Sequence, residues 1–384
     1  MAPSIVTVAS AQTVEIFSVV RGGLQRGIVY RSLTEAAVEV DLTGMGAPEG
    51  TRFRTSGYLP GGGKLSEAHL GDLQGASNIE AYNHALLFDL WLGGNVANGT
   101  FEWRIGRLAA DGDFATKRTG AALLNSSFGW PAFIAANTRN TGPAFDRSAL
   151  GAIAKIDVTG ALHLRVGLFD GDTYDSTCGD PAINADGLSF NIGRGQGIFS
   201  LAELALDTSA PSAQDPGLGA LKVGFWHHSA DFADQSDDTR VHHGNYGVYF
   251  IAETTLWRTA GSGSGISRQL GAFVRTGFSP NDRNAFSQTA DAGLGVTGLL
   301  PGRAADILSV GVAWVKIGQG ARRCQLDAGS SSIPDYEVTF ETNYIIELGK
   351  HWHVIPDLQW VCHPGGSRAL PDALATGLRT RVEF

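Results

Sequence analysis

The sequence predicts an all-β chain: a transmembrane antiparallel β-barrel of about sixteen strands, with long outer loops and short periplasmic turns. Three observations predict it. Short stretches alternate polar and apolar residues with a period of two, and helical periodicity is almost absent. The polar face of these stretches carries Arg and Glu together with Gly, which suits a wet lumen better than the outside of a soluble sandwich. The connections alternate in length along the chain, as they do in a barrel that crosses a bilayer.

The alternation is clearest in the last stretch. Leu374, Thr376, Leu378, Thr380, Val382 and Phe384 share one face, and Ala373, Ala375, Gly377, Arg379, Arg381 and Glu383 share the other. Leu162, Leu164, Val166 and Leu168 likewise oppose His163, Arg165 and Gly167, and Tyr336 to Ile346 split from Glu337 to Glu347. Carried along the chain, the pattern gives strands near 4–18, 26–41, 51–58, 84–92, 100–109, 149–156, 161–170 and 198–207. It continues near 218–229, 244–257, 267–278, 287–298, 305–317, 336–347, 351–362 and 373–384. Most even-numbered links are short turns, such as Gly93-Gly94-Asn95, Ser209–Pro216 and Gly261–Gly265. Most odd-numbered links are longer: 59–83, 110–148, 171–197, 230–243 and 318–335. With the N-terminus in the periplasm, the long loops face outside. Gly, Pro, Asn and Asp dominate the links because turns need their geometry. No linker or repeat divides the chain, so residues 1–384 read as one domain.

Composition narrows the function. Charged residues make up 17%, below the roughly 25% of soluble domains. The net charge of -9 argues against a nucleic-acid partner, which selects a basic surface. No run of 18 apolar residues occurs, so no transmembrane helix is expected. Ala9-Ser10-Ala11 has the small-x-small look of a cleavage site, but Met1 to Val8 is short and uncharged for a secretory signal. A start upstream or a trimmed leader is the expectation. No helical His-Glu-x-x-His, Cys-x-x-Cys or phosphate-binding Gly loop is present. No catalytic residue, metal or cofactor is therefore expected.

Parity places Arg52, Arg54, Glu102, Arg104, Arg165, Glu203, Glu253, Arg275, Asp291, Glu341, Asp357, Gln359, Arg379 and Arg381 on the polar face. Read functionally they line a pore; read structurally they form a charge ladder that holds the wall. Arg107 falls on the other parity, beside Phe101, Trp103 and Ile105. A bulge or a headgroup-level position would account for it, since a charge at mid-membrane costs about 2–4 kcal/mol in a barrel. The loop 110–148 holds Asn125, Trp130, Arg139 and Asn140, and folds inward as a constriction or caps the barrel from outside. His227-His228 and His242-His243 flank one outer loop; facing each other across it they would suit a transition metal, and otherwise they read as polar rim residues. Cys178, Cys324 and Cys362 map to the outer end, where one disulfide, Cys178–Cys324 among the options, is chemically open.

Several stretches resemble the bacterial carbohydrate-selective porin family. One runs from Gly271-Ala-Phe-Val-Arg275 through Ser279-Pro-Asn-Asp-Arg-Asn284 and Asp291-Ala-Gly-Leu294 to Gly298-Leu-Leu-Pro-Gly-Arg303 and Asp306. Another is Asn125-Ser-Ser-Phe-Gly-Trp-Pro131. A third joins Pro356-Asp-Leu-Gln359, His363-Pro-Gly-Gly366 and Gly377-Leu-Arg379. Gly224-Phe-Trp-His227, Gly247-Val-Tyr249 through Glu253, and Ser77-Asn-Ile-Glu-Ala81 extend the likeness over roughly residues 19 to 384. The resemblance implies an outer-membrane channel through which sugars diffuse passively, with inward-folded loops that narrow it. Outer-membrane lipid is then the surrounding partner, and monomer or trimer stays open. A general or anion-preferring pore is the alternative, given the many inward Arg. A barrel hydrolase would need a Ser/His/carboxylate set at the rim, and a soluble lectin would need a buried apolar core.

Overall fold

The computed structural model describes residues 5–96, 99–176, 178–193, 195–207, 218–237, 239–259 and 268–384. Sixteen strands follow in order: β1 (Val6–Arg21), β2 (Gly27–Asp41), β3 (Arg52–Gly62), β4 (Leu86–Val96), β5 (Phe101–Leu108), β6 (Ala149–Asp157), β7 (Leu162–Asp170) and β8 (Ile198–Asp207). They continue with β9 (Leu218–Ala233), β10 (Val241–Arg258), β11 (Gln269–Phe278), β12 (Phe286–Thr297), β13 (Ile307–Ile317), β14 (Tyr336–Glu347), β15 (Trp352–Cys362) and β16 (Ala373–Glu383). Each pairs antiparallel with its sequence neighbours, and β1 pairs with β16, so the sheet closes on itself. Closure leaves no edge of unpaired backbone groups, which lipid could not satisfy.

The outer face is apolar, as alternation requires. Ile16, Ile28, Leu168, Phe250, Val274, Phe340 and Leu378 are exposed there. The two expected turns at Ser209–Pro216 and Gly261–Gly265 lie outside the described residues, as does the expected start of the first strand at residue 4. One expected loop is much shorter than predicted. The polar stretch 230–243 reads as a link, but β9 and β10 run through it and leave only 234–240 between them. Its polarity marks strand that needs no apolar outer face, not a break in the ladder.

The main packing core lies inside the barrel. The loop between β5 and β6 turns inward and lays Phe114, Ala115, Leu123, Leu124, Phe128, Phe133 and Ile134 against the inner wall. A short helix, α1 (Ala132–Ala135), forms part of it. The Phe133 ring sits 6.5 Å from both Trp226 and Tyr249. Inward glycines make room for this layer. A Cβ on Gly277 would lie 2.3 Å from the Phe133 ring, and one on Gly311 would lie 2.6 Å from Leu123. The loop between β3 and β4 also folds in and buries Leu65, Leu70 and Ala76.

Arg107 sits in unbroken pairing with Leu90 and Leu150, so no bulge accounts for it. The loop 171–197 folds over this part of the wall. Its Ser189 O accepts from the Arg107 guanidinium at 3.0 Å, and its Asp186 O accepts from Leu87 N at 2.8 Å. Ser148 O takes a second Arg107 proton at 3.0 Å. The charge is thus covered by protein. Cys178, Cys324 and Cys362 are all free; Cys324 sits in a helix, α2 (Gln319–Asp327), and Cys178 in the loop 171–197 beside Ser176. The histidine pairs do not face each other, because Asn245 opposes His228 and Phe232 opposes His242. His228 instead bonds Gly171 O, and His242 and His243 pair with Asp234 and Asp231.

Candidate functional site

The barrel interior divides into a filled half and an open half, and the residues expected to line a pore divide with it. All fourteen strand positions reach inward, but eight of them meet protein. Glu203 accepts from Ala115 N at 2.9 Å and from the Tyr249 hydroxyl at 2.8 Å. Glu253 accepts from Arg118 N and Thr119 N. Arg275 donates to Asp291 at 2.8 Å, to Ala115 O and Gly129 O at 2.9 Å each, and to Ser127 O. Asp291 also pairs with Lys117 at 3.1 Å. Glu341 accepts from Leu124 N and Asn125 N. Gln359 holds Ala76 O at 2.8 Å, Asp357 at 3.0 Å and the Asn125 amide at 3.3 Å. Arg379 bridges Glu15 and Asn78.

None of these eight, nor Asn125, is more than 6% exposed. The expectation that they line open water is therefore corrected: they are the posts to which the inward loops are tied. The physical reason is the unpaired backbone of the loops. Irregular chain buried in a barrel must find partners for its N–H and C=O groups, and inward carboxylates, Arg and Gln supply them. Arg139 is corrected too. It is half-buried and donates to Gly195 O and Asp231 O, joining loops at the rim. Arg283 does the same at another tip, pairing with Asp282 at 2.8 Å and reaching Gly244 O at 3.0 Å.

Six positions keep access to water. Arg52 and Arg54 pair with Glu39 at 3.3 and 3.6 Å, and Arg54 also faces Asp89 at 3.4 Å. Arg104 pairs with Asp113 and lies 5.6 Å over the Trp91 ring. Glu102 meets Lys155 at 3.1 Å, Arg165 meets Glu203 at 3.0 Å, and Arg381 meets Glu35. These residues sit on β2 to β7 and β16, whereas the polar posts of the long inward loop are mainly on β8, β10 to β12, β14 and β15. The short-turn end of this strip opens into a recess lined by Arg52, Trp91, Asn95, Glu102, Trp103 and Arg104.

At the long-loop end lies a cavity of about 500 Å³. The two inward loops and the loop 171–197 build it. Its walls include Trp130, Tyr82, Phe145 and Tyr174, the carboxylates Glu67, Glu80, Asp111 and Asp146, and Lys64, Asn78 and Ser126. Trp130, expected from sequence, is fixed by its indole N–H on Thr141 O at 2.9 Å. The others are not visible to parity, because they lie in loops with no strand period. Lys64 is taken up by Glu67, Glu80 by Arg31 at 3.0 Å, and Asp146 by Arg147 at 3.2 Å. Asp111 accepts from Phe145 N at 2.9 Å. Burial, helped by the nearby Asp89 and Asp113 charges, pushes the Asp111 carboxyl up to about 6. Burial and the neighbouring Arg275 push the Lys117 ammonium down to about 7.

Comparison with known proteins agrees with this geometry. The sequence profile of the carbohydrate-selective porin, OprB family matches residues 25–384. No curated protein matches the chain by sequence. Among solved structures, OprB of Pseudomonas putida at high pH superposes with a TM-score of 0.84 at 17% identity, covering 99% of this chain and 94% of that one. OmpF of Salmonella typhi in complex with daunomycin gives 0.56 at 10% identity, covering 99% and 97%. An anion-selective porin from Comamonas acidovorans gives 0.52 at 13%, covering 99% of each chain. Those identities speak to the fold, while the profile match spans nearly all of the sequence: the chain belongs to the carbohydrate-selective porin, OprB family, and is an outer-membrane channel through which sugars diffuse.

Proposed function

We propose that mono- and small oligosaccharides enter at the long-loop cavity and pass down the open strip along β2 to β7 and β16, past Arg54, Arg104 and Arg381. The observation that carries this is the pairing of charges along that strip. Each of the six accessible positions faces an opposite charge within 4 Å. Paired charges produce little net field at a distance, so they attract neither ion sign strongly. They still present donors and acceptors at many angles, which suits a polyol. Exposed pairs are also individually weak, so a solute that borrows one of their hydrogen bonds is released again, as conduction requires.

The reading assigns no catalytic residue and no cofactor, and leaves the solute chemically unchanged. Sugars are the solute and outer-membrane lipid the surroundings. The anion-preferring alternative rested on the inward Arg. Arg275 and Arg379 are buried beneath the loops, however, and the carboxylates outnumber the cations in the entry cavity. Both observations favour the neutral-sugar reading.

Swelling of liposomes loaded with purified protein tests it. Rates should fall steeply from monosaccharide to trisaccharide. Arg54→Glu should change the cation-to-anion permeability ratio and leave the folded barrel intact. Equal swelling rates across that size series would show that the strip does not select solutes.

A further inference from the structure

We infer that the long-loop cavity is a subsite for sugars that carry a protonated amine, and that it prefers them to neutral or acidic sugars of the same ring. The inference rests on the porin reading and specifies the solute class that its entry cavity takes.

Two features of the cavity point the same way. The first is its aromatic lining. Tyr82 is exposed, Phe145 is half-buried, and Trp130 is fixed through its indole N–H. Ring faces suit both partners of an amino sugar: the apolar face of a pyranose packs on them, and a cation near a ring centroid is attracted by its quadrupole. The second is an unbalanced carboxylate. Each of Glu80 and Asp146 already has an Arg behind it, and those guanidiniums are almost fully buried. Asp111 has no ion pair among the described residues; the Phe145 backbone N–H donates to it at 2.9 Å. That bond ties the carboxylate to the backbone of the residue that carries one of the rings.

A volume of about 500 Å³ is at the scale of a small-molecule pocket and larger than one hydrated ion needs. Burial first, and then the nearby Asp89 and Asp113 charges, raise this carboxyl's affinity for protons, and a cation beside it would offset that cost. A neutral sugar would leave Asp111 unpaired, and a uronic acid would add a like charge beside it. An amino sugar supplies the missing cation and the ring face together.

The test is current noise and block in a planar bilayer at neutral pH, with glucosamine, N-acetylglucosamine, glucose and glucuronic acid as probes on the native protein. Glucosamine should reach half-block at a concentration about tenfold below that for glucose, which is about 1.4 kcal/mol. N-acetylglucosamine should behave like glucose, and glucuronic acid should be the weakest. Asp111→Asn should bring the glucosamine-to-glucose ratio close to one, Asp111→Glu should keep most of it, and Tyr82→Ala should lower it. Equal block by glucosamine and its N-acetyl form would overturn the inference, as would a ratio unmoved by Asp111→Asn. A channel that conducts but responds to no sugar would instead remove the porin reading beneath it. Heat-shifted gel mobility establishes that each variant is a folded barrel before its current is read.

Discussion

Arg275 shows how one residue type serves two ends inside a barrel. Its side chain sits on β11, yet its bonds to Ala115 O, Ser127 O and Gly129 O reach about 150 residues away in sequence. Truncation to Ala would strand those carbonyls and leave Asp291 paired with Lys117 alone. Breaking a buried pair costs about 3–5 kcal/mol. Sixteen closed strands hold the barrel, so the loss should appear in the loop. Arg275→Ala is expected to give a larger and noisier single-channel current with normal membrane insertion. A quiet current of native size would contradict the anchoring role. Charge reversal at Arg165 acts differently, because Arg165 meets water, and should alter ion preference directly. The Asp111 carboxyl sets a pH dependence. It is neutral below about 6 and negative above, so the cation-to-anion permeability ratio should rise with pH through that value. Reversal potentials in a salt gradient between pH 5 and 7 read this, and Asp111→Asn should flatten the curve.

Among the elements, strands and loops differ in what their sequence reveals. Strand side chains change face at every residue, so alternation alone sorts inward from outward. All fourteen parity assignments agree with the contacts, from Arg52 on β3 to Arg381 on β16. What alternation cannot report is whether an inward residue meets water or a loop. Glu341 and Arg381 look alike in sequence; one holds Leu124 and Asn125, the other faces the open strip. That difference depends on where distant loops pack. The cavity residues Tyr82, Asp111 and Phe145 were hidden for the same reason. The cover over Arg107 was not legible because the loop that supplies it begins more than 60 residues later, at 171. The segments that carry the family resemblance make sense in this light: Arg275, Asp291, Asn125, Gln359 and Arg379 meet at the loop anchors.

Two substitutions separate the elements' roles. Phe133→Ala removes a fully buried ring from the loop core and should cost about 3–5 kcal/mol. The loss should be seen as faster proteolysis within 109–148 while the barrel's gel mobility holds. Phe250→Arg places a charge on the outer apolar face of β10 and should cost about 2–4 kcal/mol of barrel stability. Urea unfolding in lipid vesicles reads that cost. If Phe250→Arg were neutral and Phe133→Ala unfolded the barrel, the assignment of the two faces would be reversed.

At the scale of the whole molecule, a closed sheet with an apolar exterior holds inward loops on one part of its wall and paired charges on the rest, and the proposed route for solute runs along those charges. The filled half explains how buried polar residues coexist with a pore: they satisfy loop backbone, and the loops in turn cover those residues from water. The account's central claim is that the remaining strip passes neutral sugars. Single-channel conductance of the purified protein in a planar bilayer, titrated with glucose and separately with phosphate, tests that claim most directly. The predicted result is a small ionic current that glucose lowers in a saturable way, with phosphate producing little block. Saturable block by phosphate, with no response to glucose or any other neutral sugar, would contradict it.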